Sequence, residues 1–215
     1  MRTTRRFRFA GGLLSVLLLT SAVATADPIT VVNTGPGTSE TNWDLANRTN
    51  YYAWLAAEFS VASLVTVTSA EAWMNTYKSG DLRVRLYSDG GEVPGSLLFT
   101  SIVALGFPEF GWRGATGLNW SLAPATYWIA FEVPSGGVGA GVQSGAPSPL
   151  LNEAFAFYDP PDYNGSWAGY DNLDIGVRIL GESAGTPPPA VPEPASLLLF
   201  GTGLVALRAW RKRQQ

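Results

Sequence analysis

The sequence predicts an all-β protein: an antiparallel β-sandwich, jelly-roll-like, with a cleaved N-terminal signal peptide and a single hydrophobic helix at the C-terminus. Three observations carry this expectation. Short runs alternate apolar and polar residues with a period of two, the pattern of half-buried strands. Clusters of Gly, Pro, Asn and Asp separate those runs, and 24 Gly with 15 Pro favour turns over a helical bundle. Hydrophobic residues make up 46% of the chain and charged residues only 14%, so there is apolar surface enough for a core and the whole is not disordered.

In chain order, residues 1–26 have the three parts of a secretory signal peptide. Arg2, Arg5, Arg6 and Arg8 form a positive start, Leu13 to Leu19 an apolar run broken only by Ser15, and Ala24-Thr25-Ala26 a small-residue cleavage site. A retained N-terminal anchor helix is the alternative, against which the apolar run is short. The stretch WDLANRTNYYAWLAAEF reads as a helix of three to four turns, since Tyr51, Trp54, Leu55 and Glu58 have helical spacing. Asn47, Thr49 and Asn50 are poor formers within it. Strands follow. DLRVRLYSD places Leu82, Val84 and Leu86 on one face and Arg83, Arg85 and Tyr87 on the other. TYWIAFEV aligns Tyr127, Ile129, Phe131 and Val133, and LDIGVRIL aligns Ile175, Val177 and Ile179. AEFSV, LVTVTSAEAWM, SLLFTSIVAL, VGAGVQS and EAFAFYD are weaker runs, for eight or nine strands in all. KSGD, SDGGEVPGS, FPEFGWRG, VPSGGVG, SGAPSP and DPPDYNGS read as the turns between them. The resulting division is 1–26 signal peptide, 27–183 β-sandwich, 184–191 Pro-rich linker and 192–215 terminal segment.

Residue usage removes whole classes of chemistry. The chain has no His and no Cys. Ser-His-Asp catalysis, thiolate nucleophiles and Cys-based metal sites are therefore excluded. No phosphate-binding glycine loop, dinucleotide fingerprint or nucleophile elbow is present. The net charge of −3 hides an uneven spread: residues 27–186 hold six basic against sixteen acidic residues, a formal −10. Such a body lacks the basic footprint that nucleic-acid binding needs.

The C-terminal segment carries the most specific signal. Val191-Pro192-Glu193-Pro194-Ala195-Ser196 is followed by LLLFGTGLVAL and then RAWRKR. Ala195 to Leu207 is uncharged, and thirteen residues span roughly 20 Å as a helix against a hydrocarbon core of about 30 Å. Arg208, Arg211, Lys212 and Arg213 would stay on the cytoplasmic side, leaving the body outside. This layout resembles the PEP-CTERM sorting signal of exported Gram-negative bacterial proteins. The resemblance implies processing by an exosortase at or near Pro192-Glu193-Pro194, after passage through the secretion machinery and signal peptidase. It also implies a cell-surface or matrix location in bacteria that make exopolysaccharide and biofilms, with the inner membrane a transient or lasting anchor. A plain C-terminal tail anchor is the alternative. DLRVRLYSDGGEVPGSLLFTS, LAPATYWIAFEV and the closing LDIGVRILGE are similar to choice-of-anchor domains, the R type in particular, over roughly residues 30–182. That resemblance implies an extracellular β domain and supplies no catalytic residues.

Three functional classes remain: a non-enzymatic matrix or envelope protein, a carbohydrate-binding module, and an exported hydrolase using carboxylates. Exposed aromatic rings stack on sugars, and Trp112, Trp120, Tyr163, Trp167 and Tyr170 sit in or beside expected loops. Their alternative role is core or edge packing. Glycoside hydrolysis needs two carboxylates in a cleft. Glu71, Glu132 and Glu153 fall in strands, where solvent-facing positions are expected. No cofactor is expected. Asp159, Asp162, Asn164 and Asp171 form an oxygen-rich stretch of the kind that holds Ca²⁺, although its spacing is not that of an EF-hand loop.

Overall fold

The computed structural model describes residues 28–37, 42–49, 51–144, 150–158, 166–170, 172–183 and 210–211. The expected signal peptide and linker lie outside these residues, as does the expected C-terminal helix segment apart from Trp210 and Arg211, both exposed. Among the described residues no helix is long and apolar enough to cross a membrane.

Twelve strands make up the described body: β1 (Pro28–Asn33), β2 (Asn42–Arg48), β3 (Tyr51–Val61), β4 (Val65–Lys78), β5 (Gly80–Asp89), β6 (Pro94–Leu105), β7 (Glu109–Leu122), β8 (Ala125–Glu132), β9 (Gly139–Gln143), β10 (Glu153–Tyr158), β11 (Trp167–Gly169) and β12 (Val177–Ser183). Every pairing is antiparallel. One hydrogen-bonded path runs β1-β12-β4-β9-β2-β3-β8-β5-β6, with β7 added to β4 and β10-β11 added to β3. The predicted sandwich is thus a single sheet curled onto itself. β2 makes the corner: Asn42–Leu45 pair with β9 in one layer, and Ala46–Arg48 pair with β3 in the other.

The core lies between the layers. Leu55, Phe59, Leu82, Val84, Leu86, Ile129 and Phe131 from one meet Val65, Val67, Met74, Val142, Val177 and Ile179 from the other in one cluster. Each such side chain contributes roughly 1.5–3 kcal/mol when fully buried. The three faces predicted by alternation are the inward faces of β5, β8 and the β12 region. β8 is buried on both sides. Trp128 and Ala130, on its outer face, are covered with Tyr87, Ala56 and Ala154 by Val93 and Trp167.

Two stretches differ from the sequence expectation. Residues 43–48 and 51–59 lie in the paired strands β2 and β3, with Arg48 opposite Tyr51 and Ala46 opposite Ala53, rather than in a helix. Ala53, Leu55, Ala57, Phe59 and Val61 all face the core at period two, which helical spacing could not satisfy. FPEFGWRG is not only a turn: Glu109 begins the fourteen-residue β7. Gly114 is needed inside that strand because a Cβ there would lie 2.2 Å from the Ala70 carbonyl oxygen. Strand glycines thus mark close backbone approach here, not chain reversal.

Candidate functional site

A cleft opens where β2, β3 and β10 meet the chain after β11. It measures about 320 Å³ and is lined by Trp43, Asp44, Tyr51, Leu55, Phe155 and Tyr170. The curl of the sheet brings these residues together from positions more than a hundred residues apart. The Tyr170 ring stands edge-on to Trp43, centroids 5.3 Å apart, and to Phe155 at 5.2 Å. Trp43 is held by its indole N–H, which donates to the Leu173 carbonyl at 2.9 Å. Aromatic edge-to-face pairs of this kind fix ring orientation while leaving apolar faces to pack further.

One wall is polar. The Tyr51 hydroxyl donates to Asp44 Oδ2 at 2.8 Å, and the Tyr77 hydroxyl donates to Oδ1. Arg48 donates to the Tyr77 hydroxyl at 3.0 Å and lies over the Tyr51 and Tyr77 rings. Burial, followed by the hydrogen bond to Asp44, pushes both phenols above their ordinary value. They therefore stay protonated and remain donors at any ordinary pH.

The far side of Tyr170 is oxygen-rich. Clefts of about 210 and 230 Å³ are lined there by Asn152, Glu153, Asn172, Asp174 and Glu92. Tyr170, 40% exposed, forms the ridge between the apolar and the polar clefts. The Glu153 carboxylate is spent on structure. It accepts from the backbone N–H of Asp174 at 2.6 Å and of Ile175 at 2.9 Å. Burial raises it above the usual carboxylate range.

The sequence-predicted residues are divided by the fold. Trp167 and Tyr170 lie together on and just after β11. Trp167 is half-buried against Trp54 and Tyr87 on the outer face and does not line the apolar cleft. Trp120, expected beside a loop, is instead only 7% exposed and stacks on Phe99 at 5.5 Å, so its face is taken by the core. Trp112 belongs to a separate patch on β7. There it meets Trp73 edge-on at 5.3 Å and carries the Arg178 guanidinium 4.8 Å above its ring. Tyr163, Asp159, Asp162, Asn164 and Asp171 lie outside the described residues. Among the described residues no group of three or more acidic side chains is placed to hold a metal ion.

The strand carboxylates do not face solvent as expected. Glu132 is fully buried, bonded to Arg85 at 2.7 Å and to the Tyr87 hydroxyl at 2.5 Å. Glu71 is 9% exposed and paired with Arg178 at 2.7 Å. Sequence reasoning missed Trp43, Asp44, Tyr51 and Phe155. The first three fell in the stretch read as a helix, where their phase was wrong. A period-two reading of residues 51–61 would have found the strand and its half-buried start.

The fold and cleft define an all-β antiparallel domain with an aromatic, part-polar cleft. Residues 190–214 match the family model described as the PEP-CTERM protein-sorting motif. No curated protein and no solved structure matches the chain. The motif makes this an exosortase-sorted protein exported to the cell envelope or surface, with an exosortase as its processing partner.

Proposed function

We propose that this chain is a non-enzymatic protein of the envelope or exopolysaccharide matrix, and that its β domain binds a glycan at the Tyr170 ridge. The observation that carries the reading is the two-sided character of that ridge. A sugar ring has an apolar C–H face and a hydroxyl-bearing edge. Trp43, Phe155 and Tyr170 suit the first, and Asp44, Asn152 and Asn172 suit the second. The sorting motif supports the setting, since it delivers the domain to where bacterial polysaccharide accumulates. The choice-of-anchor resemblance fits the same setting: an extracellular β module ahead of an interchangeable tail.

A hydrolase reading is less well supported. Glu71, Glu132 and Glu153 are engaged by Arg178, by Arg85 and Tyr87, and by backbone amides. None is left as an acid–base pair across a cleft. The proposal requires no cofactor, so added Ca²⁺ is expected to leave the melting temperature unchanged.

Affinity electrophoresis through gels containing polysaccharide tests the binding. Tyr170→Ala removes a stacking surface worth about 1–1.5 kcal/mol, so affinity should fall roughly tenfold. Equal retardation of parent and variant by every polymer tried, including that of the host, removes the glycan assignment.

A further inference from the structure

Four strands end the described sheet paths: β1, β6, β7 and β11. Free edges invite pairing with another chain, and folded proteins commonly blunt them with short length, charge, proline or bulges. β11 has three residues, β1 has six and begins with Pro28, and β7 carries the Glu109–Arg113 ion pair. β6 differs from all three. It too begins with a proline, Pro94, but runs twelve residues, PGSLLFTSIVAL, without one charged side chain. A bulge at Leu98 interrupts its register with β5, because Leu86 faces Phe99 while Tyr87 faces Leu97. From Phe99 to Leu105 the ladder is regular, and its other edge has no strand partner among the described residues.

We infer that this edge is a self-association site. A second copy of the chain pairs β6 with β6 antiparallel, about a two-fold axis at Ile102, joining two curled sheets into one. Three observations favour a second copy over another partner. The seven-residue stretch is close to a palindrome in size. Antiparallel pairing about Ile102 sets Thr100 against Ala104, Ser101 against Val103 and Phe99 against Leu105, with Ile102 meeting itself. A two-fold interface demands this kind of self-complementarity. Ile102 is 60% exposed, the most open of the large aliphatic side chains of β6, and it sits at the axis where its burial would be doubled. Finally, the body is formally −10, so copies repel except along an uncharged seam. On β5 the residue paired with Ile102 is Arg83, the charge nearest the seam, while Arg85, paired with Thr100, is held by Glu132 of β8 on the opposite side of β5.

In the sheet, β10, β3, β8 and β5 lie between β11 and β6, so the proposal stands or falls independently of glycan binding. The chain has no cysteine, which makes single-cysteine variants specific reporters. Paired residues across an antiparallel ladder lie about 4.5–5.5 Å apart at Cα, within disulfide reach. The full chain in nonionic detergent, under mild oxidation, should cross-link as Ile102→Cys. Thr100→Cys alone and Ala104→Cys alone should form no disulfide dimer, yet cross-link when mixed. Ile102→Lys should raise the dimer dissociation constant more than tenfold by sedimentation, with melting temperature unchanged because the side chain is exposed. Equal cross-linking of all single variants, as shared micelles would produce, overturns the proposal. So does a parent chain that stays monomeric up to about 1 mM, where an interaction worth about 4 kcal/mol would already show.

Discussion

Glu132 sits in a position that a carboxylate rarely tolerates, fully enclosed on β8 with Arg85 and Tyr87 on its two oxygens. Glu58 is similarly enclosed and takes a hydrogen bond from the Asn152 amide at 2.5 Å, while Glu153 is capped by backbone amides. Burial is the leading cause in all three, and it raises each above the ordinary glutamate value. The consequence for stability follows from proton counting. Above about pH 4.5 the unfolded chain releases these protons while the folded chain still holds them, so folding takes up protons. The three carboxyls therefore favour the fold at acid pH, and that contribution is lost as pH rises through their raised values. Melting temperature should be higher at about pH 5 than at about pH 8, and Glu58→Gln should reduce the difference. A melting temperature that climbs steadily from pH 5 to pH 8 would contradict this. Trp120 tests packing at the same scale: Trp120→Ala should cost about 3–5 kcal/mol in urea unfolding, since its stack with Phe99 closes the core.

At the scale of elements, β7 shows how a glycine-rich stretch becomes a long strand. Arg113 and Ala115, on either side of Gly114, pair with Ala72 and Ala70 of β4, and Gly114 itself lies against Glu71. A methyl group at Gly114 would meet the Ala70 carbonyl oxygen and the Glu71 Cα. Gly114→Ala should push β7 off β4 and cost about 1–3 kcal/mol or more, with faster amide exchange in both strands. Unchanged exchange would mean that the contact relaxes without loss. β5, β8 and β12 were legible in the sequence because each turns one strictly alternating apolar face to the core, although β8 buries its outer face as well. β2–β3 was not. Its residues are compatible locally with helical spacing, and only pairing with β8, β9 and β10 decides between the two. The candidate site was legible in part for the same reason. Tyr170 and Trp167 stood out in a turn-rich region, whereas Trp43 and Phe155 gain a role only when the sheet curls.

For the whole molecule, sorting and folding are separate tasks written in separate segments. The motif at 190–214 delivers the chain, and the described β domain ends at Ser183. If the exosortase cleaves at the motif, intact-mass measurement of the mature protein from its own host should give a C-terminus near Pro194. A mass that includes Gln215 would show that the tail is kept. Self-association through β6 would then act in the delivered protein, where each copy brings one Tyr170 ridge and a pair brings two. Avidity for a repeating polymer would rise by that route without any new contact.

The destination of the protein and the all-β character of its body were readable from the linear chain, since both rest on local order. A sorting segment is recognised by the succession of Pro-Glu-Pro, apolar run and basic cluster, and a strand face by alternation within eight residues. The corner at β2, the burial of Glu132, the split between Trp120 and Tyr170, and the uncharged free edge of β6 were decided only by the tertiary structure. Each depends on which distant strand lies alongside. That choice is made by the summed burial of both layers, not by the propensity of any one segment.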